Sequence, residues 1–378
     1  MKFEKRFPPL LGKTAGIVTN SGSSSNLLMM AAMCAGKPWA KDYRIICPVA
    51  GFPTTVNPIL QHGIKPKFVD IELDTLNLNL DQVEEQLPAN ILTFAHVLGN
   101  PPNMDRVMEI VNKHHITLLE DCCDALGSTY DGKPLGSFGR YVSCSFYPAH
   151  HITMGEGGFV ACNEYDEKHL RSLREWGRGC YCVGKKANLS TKGTCGCRFK
   201  AWLPELPDEI FDHKYVYETI GYNLKPIELQ CSIGLAQLDK LPEIIVKRNA
   251  NHARLQKIFN PYEEFFHFHK ATSKSNPSWF AFPITVRDGA PFKRSDFTRA
   301  LEEHKIQTRN YFGGNLLLQP AYRYLDEAHD AKTRYPVATK VTTDTLFLGT
   351  SPVITSEQLD YVEQTVYEVM HIMRQLNA

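Results

Sequence analysis

Helical and extended hydrophobic patterns alternate along the first two thirds of the chain. The stretch SSSNLLMMAAMCAG (23–36) predicts a helix after a serine–glycine turn, and YRIICPVA (43–50) predicts a buried strand. The segments ILQHGIKPKFVDI (59–71), NILTFAHVLG (90–99) and MDRVMEIVNKHHITLLEDCC (104–123) continue the alternation. This pattern predicts an α/β fold with a mainly parallel sheet covered by helices, whose ligands bind at the carboxyl ends of the strands.

The hydrophobic pattern changes near residue 240. The segment from GYNLKP to LQKIF (221–259) predicts one long helix that is kinked or preceded by a proline turn. Beyond it, strand and helix patterns are mixed, as in a smaller α+β unit. We therefore predict a large α/β domain, with a cysteine-rich insertion at about 178–213, and a small C-terminal α+β domain, over residues 1–240 and 241–378 respectively.

Composition and charge exclude several classes of partner. The 42 basic and 41 acidic residues among 378 nearly cancel, so no overall charge favours binding to nucleic acid. The first residues, MKFEKRFPPLLGK, lack the apolar run of a signal peptide, and no stretch reaches the roughly 18 apolar residues of a membrane span. We expect a soluble, cytoplasmic protein without nucleic-acid or membrane partners.

Two motifs place polar groups where a phosphorylated ligand would bind. In NSGSSSNLL (20–28) a Gly-Ser turn opens a helix and offers backbone N–H groups to an anion, although an ordinary serine helix cap also explains it. Asp121 ends an apolar strand and requires a partner, either the protonated ring nitrogen of a pyridoxal-type cofactor or a turn that it caps. Phe52 and His96 also follow strands and are candidates to face the same ligand.

The segment SFYPAHHITMGEGGFV (145–160) has the glycine-rich form of a loop that anchors pyridoxal phosphate. A lysine normally holds the cofactor covalently in such a loop, yet no lysine occurs between Lys133 and Lys168. His150 and His151 occupy the region instead. The loop therefore indicates either a decayed site or a reaction in which a histidine serves as the base.

Together these motifs resemble the DegT/DnrJ/EryC1/StrS sugar aminotransferase family of fold-type-I pyridoxal phosphate enzymes. The matching stretches keep the family's order and spacing over nearly the whole chain: Ser21-Gly22-Ser23, Glu120-Asp121, Ser145 to Gly158, and Gly221 to Lys225. The resemblance implies pairing of the ring nitrogen with Asp121 and stacking of the ring on Phe52. It also implies phosphate contacts, from Gly22, Ser23, Ser145 and, across a homodimer interface, Asn223 of the neighbouring subunit.

Within that family, the loop resembles that of the sugar 3-dehydratases, with His150 at the lysine position. The resemblance implies that pyridoxamine phosphate (or pyridoxal phosphate) is held without a covalent bond and that His150 abstracts the proton. Tyr147 and Asp124 are candidates for positioning the substrate or assisting the leaving group. The implied reaction removes the C3 hydroxyl of a nucleotide-linked 4-keto-6-deoxyhexose, expected to be CDP-4-keto-6-deoxyglucose, in deoxysugar or lipopolysaccharide assembly.

Eleven cysteines are many for a cytoplasmic protein, and several come in close pairs. One branch of the 3-dehydratases carries a 2Fe-2S cluster and receives electrons from a ferredoxin-type or flavin/iron–sulfur reductase. The cluster-ligand positions of that branch resemble the positions of four cysteines in this chain, namely Cys123, Cys180, Cys182 and Cys195. The loop before Cys195 is longer than in that pattern, so Cys197 is an alternative fourth ligand. The pairs 180/182 and 195/197 would also suit zinc, and a third interpretation leaves the thiols unmetallated.

Two other functions fit parts of the sequence. A cluster-free dehydratase acting on GDP-4-keto-6-deoxymannose would regenerate its cofactor with glutamate and need no reductase. The second alternative is a catalytically silent regulator that binds the cofactor or a sugar. The intact Gly-Glu-Gly-Gly loop and the competent base at His150 argue against it. The chain starts directly at the FEKRF helix, where members of the resembled family carry a longer segment. Either the start is truncated or this member has shed the segment, and we expect lower activity in either case.

Overall fold

The computed structural model describes residues 2–180 and 198–375. The strands within these ranges are β1 (Ala15–Thr19), β2 (Ile45–Pro48), β3 (Pro66–Val69), β4 (Ile91–Ala95), β5 (Thr117–Asp121), β6 (Thr129–Tyr130), β7 (Lys133–Pro134), β8 (Tyr141–Ser145), β9 (Gly158–Cys162), β10 (Phe199–Lys200), β11 (Phe211–Asp212), β12 (Phe266–Phe268), β13 (Ser275–Asn276), β14 (Ala281–Val286), β15 (Thr308–Asn310) and β16 (Thr345–Gly349). The α-helices are α1 (Lys2–Arg6), α2 (Gly22–Cys34), α3 (Asn57–Gln61), α4 (Leu80–Glu85), α5 (Met104–Lys113), α6 (Glu164–Arg174), α7 (Glu228–Leu238), α8 (Leu241–Phe259), α9 (Arg294–Glu303), α10 (Ala331–Arg334), α11 (Pro336–Asp344) and α12 (Ser356–Gln375).

The large sheet has seven strands in the order β1-β9-β8-β5-β4-β2-β3. The pairs β3–β2, β2–β4, β4–β5 and β5–β8 are parallel, whereas β9 is antiparallel to both of its neighbours. Strands such as β1 and β8 are buried along their whole length, as expected for a sheet covered on both faces. The prediction of a mainly parallel α/β fold is confirmed.

Separate apolar cores cover the two faces of the large sheet. Ile17 of β1 belongs to the core that includes Leu28 of α2 and Leu170 of α6. The next strand residue, Val18, belongs instead to the core that includes Val107 of α5. Since successive side chains of a strand point to opposite faces, this alternation fixes helices on both sides of the sheet.

A four-stranded antiparallel sheet, β12-β14-β16-β15, forms a second, smaller unit. Its core combines Phe282 of β14 with Phe259 of α8, Phe297 of α9 and Val366 of α12. This mixture of an antiparallel sheet with helices is the arrangement predicted for the C-terminal part of the chain. None of the helices in the described ranges is long and apolar enough to cross a membrane.

Helix α8 runs from one unit to the other. Leu241 at its start packs in a core of the large sheet, and Leu255 packs in the core of the small sheet. We therefore propose that the two domains divide near residue 240, at the start of α8. The single helix predicted over 221–259 is wrong in one respect, because α7 and α8 are separate helices. Pro242 is the second residue of α8, in the first turn, where its missing N–H costs nothing.

Candidate active site

The carboxyl ends of the parallel strands open into a cavity of about 600 Å³. Residues that end or follow β2, β4, β5 and β8 form its floor, and the amino terminus of α2 forms one wall. Most of the candidate residues from the sequence line this one cavity, namely Gly22, Ser23, Phe52, Asp121, Cys123, Asp124, Ser145, Tyr147 and His150. The location is the one expected for a ligand of a parallel sheet.

The carboxylate of Asp121 is held at the cavity wall by four hydrogen-bond donors. Nδ2 of Asn26 and Oγ1 of Thr55 each donate to Oδ2 at 2.8 Å. Oγ of Ser143 donates to Oδ1 at 3.2 Å, as does the backbone N–H of Cys123 at 3.0 Å. These donors compensate for the burial of a side chain that is only 4% exposed. The bond from Cys123 is the turn cap considered above, so Asp121 both caps the turn and lines the cavity.

The amino terminus of α2 approaches β8 more closely than a side chain at position 22 would permit. A Cβ atom on Gly22 would lie 2.5 Å from Cβ of Ser145 and 3.1 Å from Sγ of Cys123. The hydroxyl of Ser21 caps the helix by accepting a hydrogen bond from a backbone N–H of the first turn. The positive end of this helix and the hydroxyls of Ser23 and Ser145 therefore meet at one place, which suits a phosphate group.

His150 lies in the cavity wall beside Asp124. Its Nδ1 is 3.5 Å from Oδ1 of Asp124, and the ring packs 5.3 Å from that of Phe280. Burial lowers the pKa of His150 to about 4, although the negative charge of Asp121 acts in the opposite direction. Burial and the same charge raise the pKa of Asp124 to about 7. His150 is therefore neutral near pH 7, which is the form that accepts a proton.

Aromatic side chains supply the flat surfaces of the cavity. Phe52 and Tyr147 are each about half exposed, at 52% and 51%. The ring of Phe52 meets Phe312 edge to face, with centroids 6.1 Å apart. Such rings can stack against a planar ligand. Among the described residues of the lining there is no lysine, and Arg309 is the one arginine.

Several candidate residues lie outside this cavity. Asn223 is exposed, and its Oδ1 accepts a hydrogen bond of 2.6 Å from Nζ of Lys225. His96 is fully buried with Nε2 at 2.9 Å from Oε2 of Glu120, so the expectation that it faces the ligand is wrong. His151 is also buried and donates from Nε2 to the carbonyl oxygen of Ser278 at 3.0 Å. His151 therefore packs the site rather than lining it.

The four predicted cluster ligands are only partly covered by the structure. Cys123 lines the cavity, and burial together with the charge of Asp121 raises the pKa of its thiol well above the ordinary value. Cys180 is half-buried at the end of the first described range. Cys182 and Cys195, with the alternative ligand Cys197, lie outside the described residues. The ligand set thus remains a prediction.

Sequence reasoning missed four residues that act on the site. Asn26 and Thr55 hold Asp121, and their only signal was proximity to the motifs SGSSSN and AGFPTT. Arg309 reaches the cavity from β15, in the small sheet. Arg248 of α8 donates hydrogen bonds to the backbone carbonyls of Ala149 and His150 in the segment 145–160, the histidine loop. Nothing in the local sequence distinguishes either arginine, because their placement depends on the packing of distant segments.

The sequence profile of the DegT/DnrJ/EryC1/StrS aminotransferase family matches residues 1–367. Lipopolysaccharide biosynthesis protein RfbH of Salmonella typhimurium is 41% identical over 95% of this chain and 82% of that protein. The dTDP-4-dehydro-2,6-dideoxy-D-glucose 3-dehydratase of Saccharopolyspora spinosa is 38% identical over 97% and 79% of the two chains. Escherichia coli GDP-4-keto-6-deoxy-D-mannose-3-dehydratase, solved with bound hydrated PLP, is 26% identical with a TM-score of 0.77. The match covers 96% of this chain and 90% of that chain. The predicted fold-type-I architecture is confirmed.

We predict that Gly22→Ala weakens the binding of pyridoxamine phosphate about tenfold or more, because the new methyl group would push α2 away from Ser145. The measurement is a titration of the cofactor followed by protein fluorescence. Gly349→Ala is the matched control, since a Cβ at that position meets no atom within 4 Å. Equal affinity of the Gly22 variant and the control would contradict the assignment of the phosphate site.

Proposed function

Since the chain belongs to the DegT/DnrJ/EryC1/StrS aminotransferase family, we propose that it is a pyridoxamine phosphate-dependent 3-dehydratase of a nucleotide-linked 4-keto-6-deoxyhexose. One observation carries the proposal. The cavity keeps the groups that would hold the cofactor, yet His150, with Nδ1 3.5 Å from Oδ1 of Asp124, occupies the position that the family resemblance gives to the lysine of a transaminase. A decayed site would have no reason to retain a neutral, partly exposed base at that position.

The residues present fit the cofactor. Asp121 presents a fixed negative charge to the ring nitrogen, and Phe52 offers a ring face for stacking. Gly22, Ser23 and Ser145 form the phosphate site at the start of α2. When bound, pyridoxamine phosphate supplies an amine for the 4-keto group of the sugar and a ring that accepts electrons.

Three side chains of the cavity would carry out proton transfer and assist the leaving group. His150 would accept the proton from the C4′ carbon of the cofactor. Since Nδ1 of His150 faces Asp124, Nε2 would be the nitrogen that receives the proton. Asp124 then stabilises the protonated imidazole ring. Tyr147, whose ring is half exposed to the cavity, assists departure of the C3 hydroxyl.

The relatives named above support a nucleotide-sugar substrate, although their names cite different nucleotides. We propose CDP-4-keto-6-deoxyglucose, on the resemblance of the cysteine pattern and the histidine loop. Arg309 is the cationic side chain that the described lining offers to the diphosphate. The likeness to a lipopolysaccharide biosynthesis protein supports the proposal that the reaction serves deoxysugar and lipopolysaccharide assembly.

The proposal includes a 2Fe-2S cluster on Cys123, Cys180, Cys182 and Cys195, reduced by a ferredoxin-type or flavin/iron–sulfur reductase. The position of Cys123 supports it, because this thiol lines the same cavity as His150. A cluster held there would be close enough to the substrate to deliver electrons to it. The second candidate is the cluster-free enzyme that would use glutamate, and the likeness to a GDP-4-keto-6-deoxymannose-3-dehydratase solved with a trapped PLP-glutamate geminal diamine supports it.

We also propose a homodimer whose subunits share the site through Asn223. Exposed apolar side chains flank this asparagine in the chain. Ile220 is 96% exposed, and Ile227 and Leu229 are 63% and 65% exposed. Exposed apolar side chains grouped in this way commonly mark a protein interface, so they support burial of this region against a second subunit.

We predict that His150→Asn lowers the rate of dehydration at least about 100-fold, because asparagine cannot accept the proton. Loss of the C3 oxygen from CDP-4-keto-6-deoxyglucose is measured by mass spectrometry in a single turnover of enzyme loaded with pyridoxamine phosphate. Affinity for the cofactor should change little, since other residues hold it. His371→Asn on the exposed face of α12 is the matched control. Full activity of His150→Asn would overturn the proposed base.

We predict that enzyme purified without oxygen contains about two iron and two sulfide ions per chain. Cys123→Ser should lose most of this iron, whereas Cys34→Ser, a half-buried thiol outside the proposed set, should retain it. Metal analysis and visible absorbance provide the measurement. A colourless enzyme that contains zinc, or one without metal that turns over with glutamate and no reductase, would contradict the cluster.

A further inference from the structure

Arg248 is a buried cation that binds the loop carrying His150. The residue lies on α8 and is 4% exposed. Its Nη2 donates to the carbonyl oxygens of Ala149 and His150 at 3.0 and 3.1 Å. Its Nη1 donates to the carbonyl oxygen of Phe280 at 3.0 Å. One guanidinium group therefore joins three segments of the chain at the proposed base.

The partners of Arg248 are unusual for a buried arginine. Within the described part of the chain, its three hydrogen-bond acceptors are all neutral carbonyl oxygens, although the charge of Asp124 is close enough to act on the guanidinium. Burying a cation without a directly bonded carboxylate is costly, and an apolar side chain of similar length would fill the same space at lower cost. A role in packing alone therefore does not account for an arginine at this position.

The three hydrogen bonds hold both the backbone that carries the His150 ring and the residue that packs against this ring. The pair to Ala149 and His150 fixes the backbone from which the imidazole extends. The bond to Phe280 fixes the residue whose ring packs 5.3 Å from that imidazole. The planar fork of arginine can hold these carbonyls together, whereas the single ammonium group of lysine reaches fewer of them.

We propose that Arg248 is the positioning residue for the His150 base: it holds the His150 backbone and the Phe280 wall in fixed relation to the cavity. This inference rests on the proposed function for its kinetic consequence. The expectation that Arg248 keeps the His150 ring in a single orientation does not depend on which reaction the enzyme performs.

The kinetic test compares Arg248→Met and Arg248→Lys in enzyme loaded with pyridoxamine phosphate, with a ferredoxin-type reductase or glutamate present to restore the cofactor for further turnovers. We expect kcat for dehydration of CDP-4-keto-6-deoxyglucose to fall about 100-fold in the methionine variant and about tenfold in the lysine variant. KM and cofactor affinity should stay within about threefold of the wild-type values. Arg254→Met is the matched control, since Arg254 lies on the same helix and forms ion pairs with Asp360 and Glu363 at the surface.

The second readout is NMR of histidine-labelled protein, with the His150 signals assigned by their loss in His150→Asn. We expect one narrow set of ring signals in the wild type and several or broadened sets in Arg248→Met and Arg248→Lys. Wild-type kcat in the methionine variant, or a single unchanged set of signals, would overturn the inference. If the wild-type enzyme fails to dehydrate the sugar, the proposed function fails, and the NMR comparison alone decides the role of Arg248.

Discussion

The buried carboxylate of Asp121 is the interaction on which the rest of the site depends. Its donors come from α2, from the turn after β2, from β8 and from its own turn, so one side chain ties together segments that are far apart in sequence. A carboxylate buried without such donors would be strongly unfavourable. The same network holds α2 against β8, where Gly22 permits the close contact at the proposed phosphate site.

The proposed replacement of the lysine by His150 would change the chemistry that this site can perform. A covalent link to the loop would fix the cofactor in one chemical form, whereas the noncovalent contacts proposed here let the amine form bind and leave. The base must then be oriented by the protein alone. The nearby carboxyl group of Asp124, the ring of Phe280 and the guanidinium of Arg248 surround it for that purpose.

The sequence predicted those features that depend on local pattern. The alternation of helical and extended patterns predicted the parallel sheet. The order of the motifs along the sequence predicted that Gly22, Asp121 and His150 share one cavity. The contacts of Asn26 and Arg248 were not predictable, because they form only after distant segments pack. His96 was misplaced, since a histidine after a strand can turn into the core as readily as toward a ligand. The break between α7 and α8 was missed because the apolar pattern continues across it.

The most direct test of this account is the identity of the product in a single turnover. Purified enzyme carrying one equivalent of pyridoxamine phosphate is mixed with CDP-4-keto-6-deoxyglucose without reductase or glutamate, and the sugar is analysed by mass spectrometry and NMR. The account predicts a 4-keto sugar that lacks the C3 oxygen and is lighter than the substrate by one oxygen atom, formed with one equivalent each of pyridoxal phosphate and ammonia because the bound pyridoxamine phosphate supplies the two electrons. A 4-amino sugar that retains its C3 hydroxyl would show a transaminase and contradict the account.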